Sequence, residues 1–140
     1  MTQVRKLRIA QIIFIVFVLS LFRFVQVLPA ALGGEGMTPA KWTILVASLY
    51  CAAAGLFMKK RLLHPPKNRR AAARSTPAKR WMAANVVQLA YAVSVGLWGL
   101  VFHFEGGPDS VANSLIGLGL ILLLVWRPGI LPEHDSVTDR

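Results

Sequence analysis

The chain has few of the residues from which enzyme sites and cross-links are built. Only one of its 140 residues is cysteine, Cys51, so an intramolecular disulfide is excluded. No CxxC, CxxCH or HExxH spacing occurs, and no glycine-rich phosphate loop is present. These patterns carry thiol redox chemistry, haem attachment, zinc hydrolysis and phosphate binding. The sequence therefore predicts no cofactor and no metal site.

Acidic residues are also scarce. The chain has 6 Asp and Glu against 16 Lys and Arg, which gives a formal net charge of +10. None of the acids lies inside a long apolar segment. Proton-coupled transporters commonly hold such a carboxylate within the membrane, and no pair of a nucleophile and a base stands out. We therefore expect neither a small proton antiporter nor an enzyme.

Long apolar segments take up most of the chain, which is 55% hydrophobic. A soluble domain needs a polar face on nearly every element, and this composition does not supply one. The apolar residues collect in four blocks, each close to the ~20 residues that cross a ~30 Å hydrocarbon core as a helix. Asp109 or Ser110 would cap the last helix. The predicted spans are residues 8–30, 41–59, 81–104 and 109–127.

The charges between the blocks predict how the chain is oriented. The loop 59–80 is rich in lysine and arginine and has no acid, whereas the turns 33–40 and 105–109 have acids and no base. The positive-inside rule then places this loop and both termini in the cytoplasm. The sequence thus predicts an all-α membrane protein, a single domain with four transmembrane helices in two helical hairpins. Residues 128–140 form a polar tail, and a bacterial inner (plasma) membrane is the expected location.

The first apolar block has an alternative interpretation as a cleavable signal peptide. Basic residues precede it, and Ala30 and Ala31 follow it. Arg23 and the bulky residues 24–26 would separate the apolar region from the cleavage site, which favours a retained helix. Cleavage would leave three spans with the same orientation.

Polar residues within or beside the spans are the first set of candidate site residues. Arg23 lies inside the first span, where an arginine either marks a functional site or snorkels to the headgroups. Its partners in a network would be Glu35, Glu105 or Asp109. The candidates for an intramembrane network or a polar pathway are Arg23, Gln26, Asn85, Gln88, His103 and Asn113.

One face of the third span combines small and polar side chains. At 100° per residue, the same sector contains Asn85, Gln88, Gly96, Gly99 and His103. Leu89 and Phe102 lie opposite and are expected to face lipid. Small residues let another helix approach closely, and amides hydrogen-bond across the contact. The pattern predicts a helix–helix seam or, alternatively, the wall of a polar cavity with a solvated His103 at its mouth.

Other helices carry similar spacings of small residues, which favour close packing. The helix-packing candidates are Ala47, Cys51, Gly55, Gly96, Gly99 and Gly117. Lysines that flank the short second span, including Lys41, are expected to snorkel.

The polybasic loop is expected to contact anionic headgroups, because clusters of basic residues beside a transmembrane helix attract them. The residues concerned are Lys59, Lys60, Arg61, Arg69, Arg70, Lys79 and Arg80. Aromatic residues are not interleaved with these charges, so no nucleic-acid partner is predicted.

These patterns favour an accessory, scaffold or regulatory membrane subunit that acts through helix–helix contacts. The partner would be another membrane protein or a second copy of this chain. The alternative is a small oligomeric transporter or channel subunit for a polar or anionic solute, with Arg23 selecting the solute.

Overall fold

The computed structural model describes residues 2–29, 36–64, 67–68, 70 and 76–128. In these ranges the chain forms four α-helices. They are α1 (Gln3–Val27), α2 (Pro39–Leu63), α3 (Pro77–Phe104) and α4 (Asp109–Val125). Three of them, α1 to α3, are long and apolar enough to cross a membrane, whereas α4 has 17 residues. The protein is therefore an all-helical bundle with the character of a membrane protein.

The helices α2 and α3 begin with the same tetrapeptide, Thr-Pro-Ala-Lys. The hydroxyls of Thr38 and Thr76 accept hydrogen bonds from the backbone N–H groups of Lys41 and Lys79. The proline that follows each threonine lacks an N–H and has a backbone angle suited to the first helical turn. With these caps, both helices begin before their apolar blocks. A membrane-spanning helix can extend beyond the segment that lies in the hydrocarbon core.

The start of α4 differs from the sequence prediction. Asp109 is the first helical residue, Pro108 precedes it, and no side chain caps the helix. The carboxylate of Asp109 instead contacts the ring of His103, 2.8 Å away. The expected cap by Asp109 or Ser110 is therefore wrong.

The helix α3 is the centre of the bundle, because it packs against each of the other three helices. The helix α1 also packs against α4. The larger core cluster consists of Val18, Leu21, Val25, Leu89, Ala92, Ile116, Leu123 and Trp126. A second cluster contains Ile44, Phe102, Ala112 and Leu115.

The central position of α3 overturns one expectation from the sequence. Leu89 and Phe102, expected to face lipid, are buried with exposed fractions of 1% and 0%. A helix with neighbours on several sides buries its apolar side chains as well as its small ones. The seam of small residues is therefore only part of the buried surface of α3.

Candidate functional site

Polar side chains and carbonyls gather where the two helical hairpins turn. We call this region the turn end; it contains residues 28–29, 36–41 and 103–109. The opposite end, with Arg8, residues 59–64, residues 76–80 and Arg127, is the basic end.

His103 connects three helices at the turn end. Its ring is buried, with Nδ1 2.8 Å from the Oδ1 atom of Asp109 and Nε2 2.7 Å from the carbonyl oxygen of Leu28. Both partners are hydrogen-bond acceptors, and a neutral imidazole can donate to only one of them. Both contacts are hydrogen bonds at once only when the ring is protonated. The expectation of a solvated His103 is therefore wrong.

Lys41 fastens the second helix to the turn between α3 and α4. Its side chain is fully buried, and Nζ donates to the carbonyl oxygens of Gly36 at 2.6 Å and Gly106 at 3.1 Å. A buried ammonium is tolerated only where acceptors replace its water. The prediction that Lys41 snorkels is wrong, because these carbonyls hold its amine inside the protein.

The turn between α3 and α4 depends on two glycines. Gly106 has a φ of +74°, which L side chains rarely adopt, and this conformation accompanies its carbonyl contact with Lys41. A β-carbon at Gly107 would lie 2.1 Å from the ring of Phe102. A side chain would therefore be strained at Gly106 and would displace the Phe102 ring at Gly107.

Together these groups tie the ends of all four helices. We call them the turn-end clasp, which consists of Lys41, His103, Asp109 and the carbonyls of Leu28, Gly36 and Gly106. Each polar atom of the histidine ring is directed at another part of the chain. The clasp therefore positions helices, and its histidine has no ring nitrogen directed at open space.

Arg23 and Gln26 lie outside this cluster. Both side chains are exposed on α1. Among the described residues Arg23 forms no ion pair. Asp109, one of its expected partners, is paired with His103. Glu35, another expected partner, lies outside the described residues.

The three amides of the predicted network are also separate. Asn85 donates to the carbonyl of Trp81 in its own helix, at 2.8 Å. The side-chain oxygens of Gln88 and Asn113 are buried and have no hydrogen-bond partner in the described part of the chain. The six candidates therefore do not form one network, because tertiary packing places them at different surfaces and depths.

Three buried polar residues are not among the candidates from the sequence: Lys41, Gln11 and Ser48. The position of Lys41 beside a span predicts a flanking charge, and the repeated Thr-Pro-Ala-Lys segment is the signal in the sequence that distinguishes it. Gln11 is also buried and donates to the carbonyl of Leu123 at 2.5 Å, which ties α1 to α4. Nothing in its surroundings distinguished Gln11 from other polar residues in an apolar block.

The packing candidates occupy different environments. A β-carbon at Gly99 would lie 2.8 Å from the carbonyl oxygen of Ala112, and one at Gly55 would lie 2.9 Å from the ring of Trp126. At Gly96 the nearest atom would be 3.4 Å away, and at Gly117 it would be 4.0 Å away. Ala47 and Cys51 are half-buried on α2.

The closest approach of an α4 glycine to α3 occurs at Gly119, which is not among the packing candidates. A β-carbon at Gly119 would lie 2.8 Å from the backbone nitrogen of Gly96 and 2.9 Å from the carbonyl oxygen of Ala92. The backbones of α3 and α4 therefore touch at Gly119. Gly117, two residues earlier, does not face α3.

Most of the predicted lipid-contacting residues are exposed at the basic end. Exposed side chains belong to Lys60, Arg61, Arg70 and Lys79, while those of Lys59 and Arg80 are half-buried. Arg69 lies outside the described residues, as do residues 129–140 of the polar tail.

No protein-family model, curated protein or solved structure matches this chain. Functional inference therefore depends on the packing, the exposed surfaces and the charges of the molecule itself.

Proposed function

We propose that this chain is an accessory, scaffold or regulatory subunit of a membrane complex and has no catalytic role. It crosses a bacterial inner membrane four times with both ends in the cytoplasm. It binds another membrane protein, or a second copy of itself, through helix–helix contacts.

The observation that carries this proposal is the extent of the exposed apolar surface on α1 and α2. Soluble monomers rarely expose apolar patches of more than a few hundred Å². Within the described ranges α2 packs mainly against α3, and no other described helix covers the opposite side of α2. Its exposed large apolar residues are Trp42, Val46, Leu49, Tyr50, Leu56 and Phe57. Lipid or a partner helix must cover this surface.

The state of the polar groups also supports a subunit rather than an enzyme. His103 and Lys41, the two buried ionisable groups at the turn end, contact carbonyls or a carboxylate of the same chain. Catalytic groups need a place for substrate beside them. In the clasp, these partners occupy the positions that a substrate would need.

The fourth span is supported by packing rather than by length. At 1.5 Å per residue, α4 is about 25 Å long, somewhat less than a ~30 Å hydrocarbon core. Its contacts with α3, from Ala112 to Gly119, align it with that helix. Arg127 follows α4, is exposed and suits the headgroup level. A shorter helix can be matched by local thinning of the bilayer.

Topology is tested by labelling single cysteines in a Cys51→Ala background. A cysteine at Met37 should react with an impermeant maleimide from the periplasm, and one at Lys60 only after permeabilisation. A reporter fused after Arg140 should be cytoplasmic. A periplasmic reporter would show that α4 does not cross and would contradict the four-span arrangement.

The function itself is tested by gentle extraction of the tagged protein and mass analysis of the intact complex. We expect a foreign membrane subunit in fixed stoichiometry, or a homo-oligomer whose assembly fails when the free side of α2 is altered. Leu49→Ala with Tyr50→Ala should release the partner. A monomer that carries only lipid would contradict the proposal.

A second candidate function is an oligomeric transporter or channel subunit. The buried oxygens of Gln88 and Asn113, without partners in the described residues, favour it because a solute or water could satisfy them. Arg23→Leu separates the two functions in liposome flux assays. Loss of flux in the variant with intact assembly would support transport. Unchanged assembly, with no flux in the wild type or the variant, would support the role of an accessory subunit.

A further inference from the structure

A groove opens between α1 and α4 at the basic end. Its volume is about 390 Å³. We call it the α1–α4 groove; it is lined by Arg8, Gln11, Ile12, Ile15, Leu124, Arg127 and Pro128. None of the described residues of the polybasic loop lines it.

Two guanidinium groups stand at the mouth of this groove. Arg8 belongs to α1, and Arg127 lies two residues beyond the end of α4. Both are exposed, and in the described part of the chain neither forms an ion pair or a side-chain hydrogen bond. The described acids, Glu105 and Asp109, are at the turn end. The planar donor forks of two arginines suit a phosphate group, which accepts several hydrogen bonds.

The floor of the groove is apolar and leads from the arginines towards the middle of the helices. Ile12 and Ile15 follow Arg8 at spacings of four and seven residues, so they lie below it on the same side of α1. Leu124 forms the facing wall, and Ile12 and Leu124 are 60% and 47% exposed. These side chains leave an accessible trough below the arginines, and Gln11 is the polar side chain in its lining.

Gln11 holds the two walls together. Its Nε2 atom donates to the carbonyl oxygen of Leu123, while the side chain lines the groove. Because this bond is buried and links α1 directly to α4, it sets the spacing of the helices beneath the two arginines. The groove is thus part of the packed bundle rather than a gap between loosely associated helices.

We propose that the α1–α4 groove binds one anionic phospholipid. Its phosphate lies between Arg8 and Arg127, and one acyl chain lies along Ile12, Ile15 and Leu124. A positive mouth above an apolar trough matches a molecule that carries a phosphate on a hydrocarbon chain, and basic pockets between transmembrane helices bind such headgroups. The inference relies on the membrane location in the proposed function and is independent of the accessory role.

The site is tested on purified, delipidated protein in neutral detergent by titration with phosphatidylglycerol or phosphatidylcholine. Native mass spectrometry counts the bound lipids. We expect one phosphatidylglycerol per chain, bound more tightly than phosphatidylcholine. Since each basic group near an anionic surface contributes about 1 kcal/mol, Arg8→Gln with Arg127→Gln should weaken binding roughly 30-fold.

A matched control removes two arginines of the polybasic loop. Arg61→Gln with Arg80→Gln changes the net charge equally but lies outside the groove lining, so it should weaken the binding of phosphatidylglycerol much less. An equal loss in both double variants would show diffuse surface attraction and overturn the site. The variants should melt at the same temperature as the wild type, because Arg8 and Arg127 are exposed.

The trough is tested separately from the charges. Leu124→Trp keeps both arginines and fills the groove, so it should also weaken the binding of phosphatidylglycerol. Inorganic phosphate at millimolar concentration should not displace the lipid, because it gains nothing from the trough. Displacement by phosphate, or full binding by Leu124→Trp, would overturn the assignment to a lipid. Binding in detergent needs no insertion, so a failure here is distinguishable from a failure of the topology test.

Discussion

Two lysines in identical tetrapeptides occupy opposite environments in this protein. Lys41 and Lys79 both follow Thr-Pro-Ala and both donate a backbone hydrogen bond to the capping threonine. The side chain of Lys79 is exposed, whereas that of Lys41 is fully buried against Gly36 and Gly106. Local sequence therefore determines the helix cap, and the neighbouring turn determines whether the side-chain amine is buried.

Lys41→Met should destabilise the protein by about 1–3 kcal/mol, because two carbonyls at the turn end lose their donor. Lys79→Met removes the same charge from an exposed position and should change stability little. Titration of both variants with a denaturing detergent, followed by circular dichroism, measures the difference. Equal stabilities would show that the buried amine contributes nothing.

His103 provides the second test of the turn-end clasp. His103→Phe keeps an aromatic ring of similar size but loses the contacts with Asp109 and Leu28, and we expect a loss of about 1–3 kcal/mol. His64→Phe is the matched control, since His64 is exposed at the basic end. Thermal melting of the detergent-solubilised variants compares them. A His103 variant as stable as its control would contradict the clasp.

At the scale of elements, the distance between α3 and α4 is limited by backbone contact. Gly99 faces the backbone of α4 at Ala112, and Gly119 faces the backbone of α3 at Gly96 and Ala92. Without a strong hydrophobic driving force in lipid, such close packing is a main source of helix association. The two glycines therefore set the contact between the helices.

Gly99→Ala should destabilise the protein by about 1–3 kcal/mol, because a rigid backbone cannot move away from the added methyl group. Gly96→Ala is the control on the same helix; its β-carbon would meet only Val18 and Leu21 side chains at 3.4 Å or more. Unfolding free energies in mixed micelles distinguish the two. The prediction fails if both substitutions have the same effect.

The helix α2 has its own point of attachment. Gly55 lies against Trp126 and the β-carbon of Tyr91, so Gly55→Leu should push α2 away from α3. We expect faster amide hydrogen exchange along α2 and little change in α1, because α2 packs mainly against α3 and α1 packs against α3 and α4. Ala53→Leu, on the exposed side of the same helix, should leave exchange unchanged. Faster exchange throughout the bundle would show that α2 is not a separate unit.

At the scale of the whole molecule, charge is divided between the two ends. Among the described residues the acids Glu105 and Asp109 lie at the turn end, while Arg8, Arg61 and Arg127 lie at the basic end. Such a division orients a membrane protein during insertion. It also concentrates positive charge where anionic headgroups would be.

Replacing the basic residues of the loop with glutamine should allow part of the protein to insert in the opposite orientation. The substituted residues are Lys59, Lys60, Arg61, Lys67, Arg69, Arg70, Arg74, Lys79 and Arg80. The fraction of a Met37→Cys probe that is labelled from the periplasm measures the orientation and should fall. Replacing only Arg5 and Lys6 with glutamine is the control; it removes fewer charges and should change the labelled fraction less. Unchanged labelling of the fully substituted loop would show that other features orient the chain.

The candidate site was only partly predictable from the sequence. His103 was selected because it lies beside a span, but its partners are the carbonyl of Leu28 and the carboxylate of Asp109, which are 75 and 6 residues away. Arg23 was selected by the same reasoning and lies on the exposed surface. Periodicity specifies the direction of a side chain around its own helix, whereas partners depend on which helices become neighbours.

The sequence by itself determined the helical class, the apolar segments and the division of charge. These properties follow from composition and local spacing, because a bilayer requires apolar length and backbone hydrogen bonds within each helix. Only the tertiary structure decided that α3 is central, that Lys41 and His103 are buried, and that Arg8 and Arg127 share a groove. Those relations join residues far apart in the chain, and the packing of whole helices brings them together.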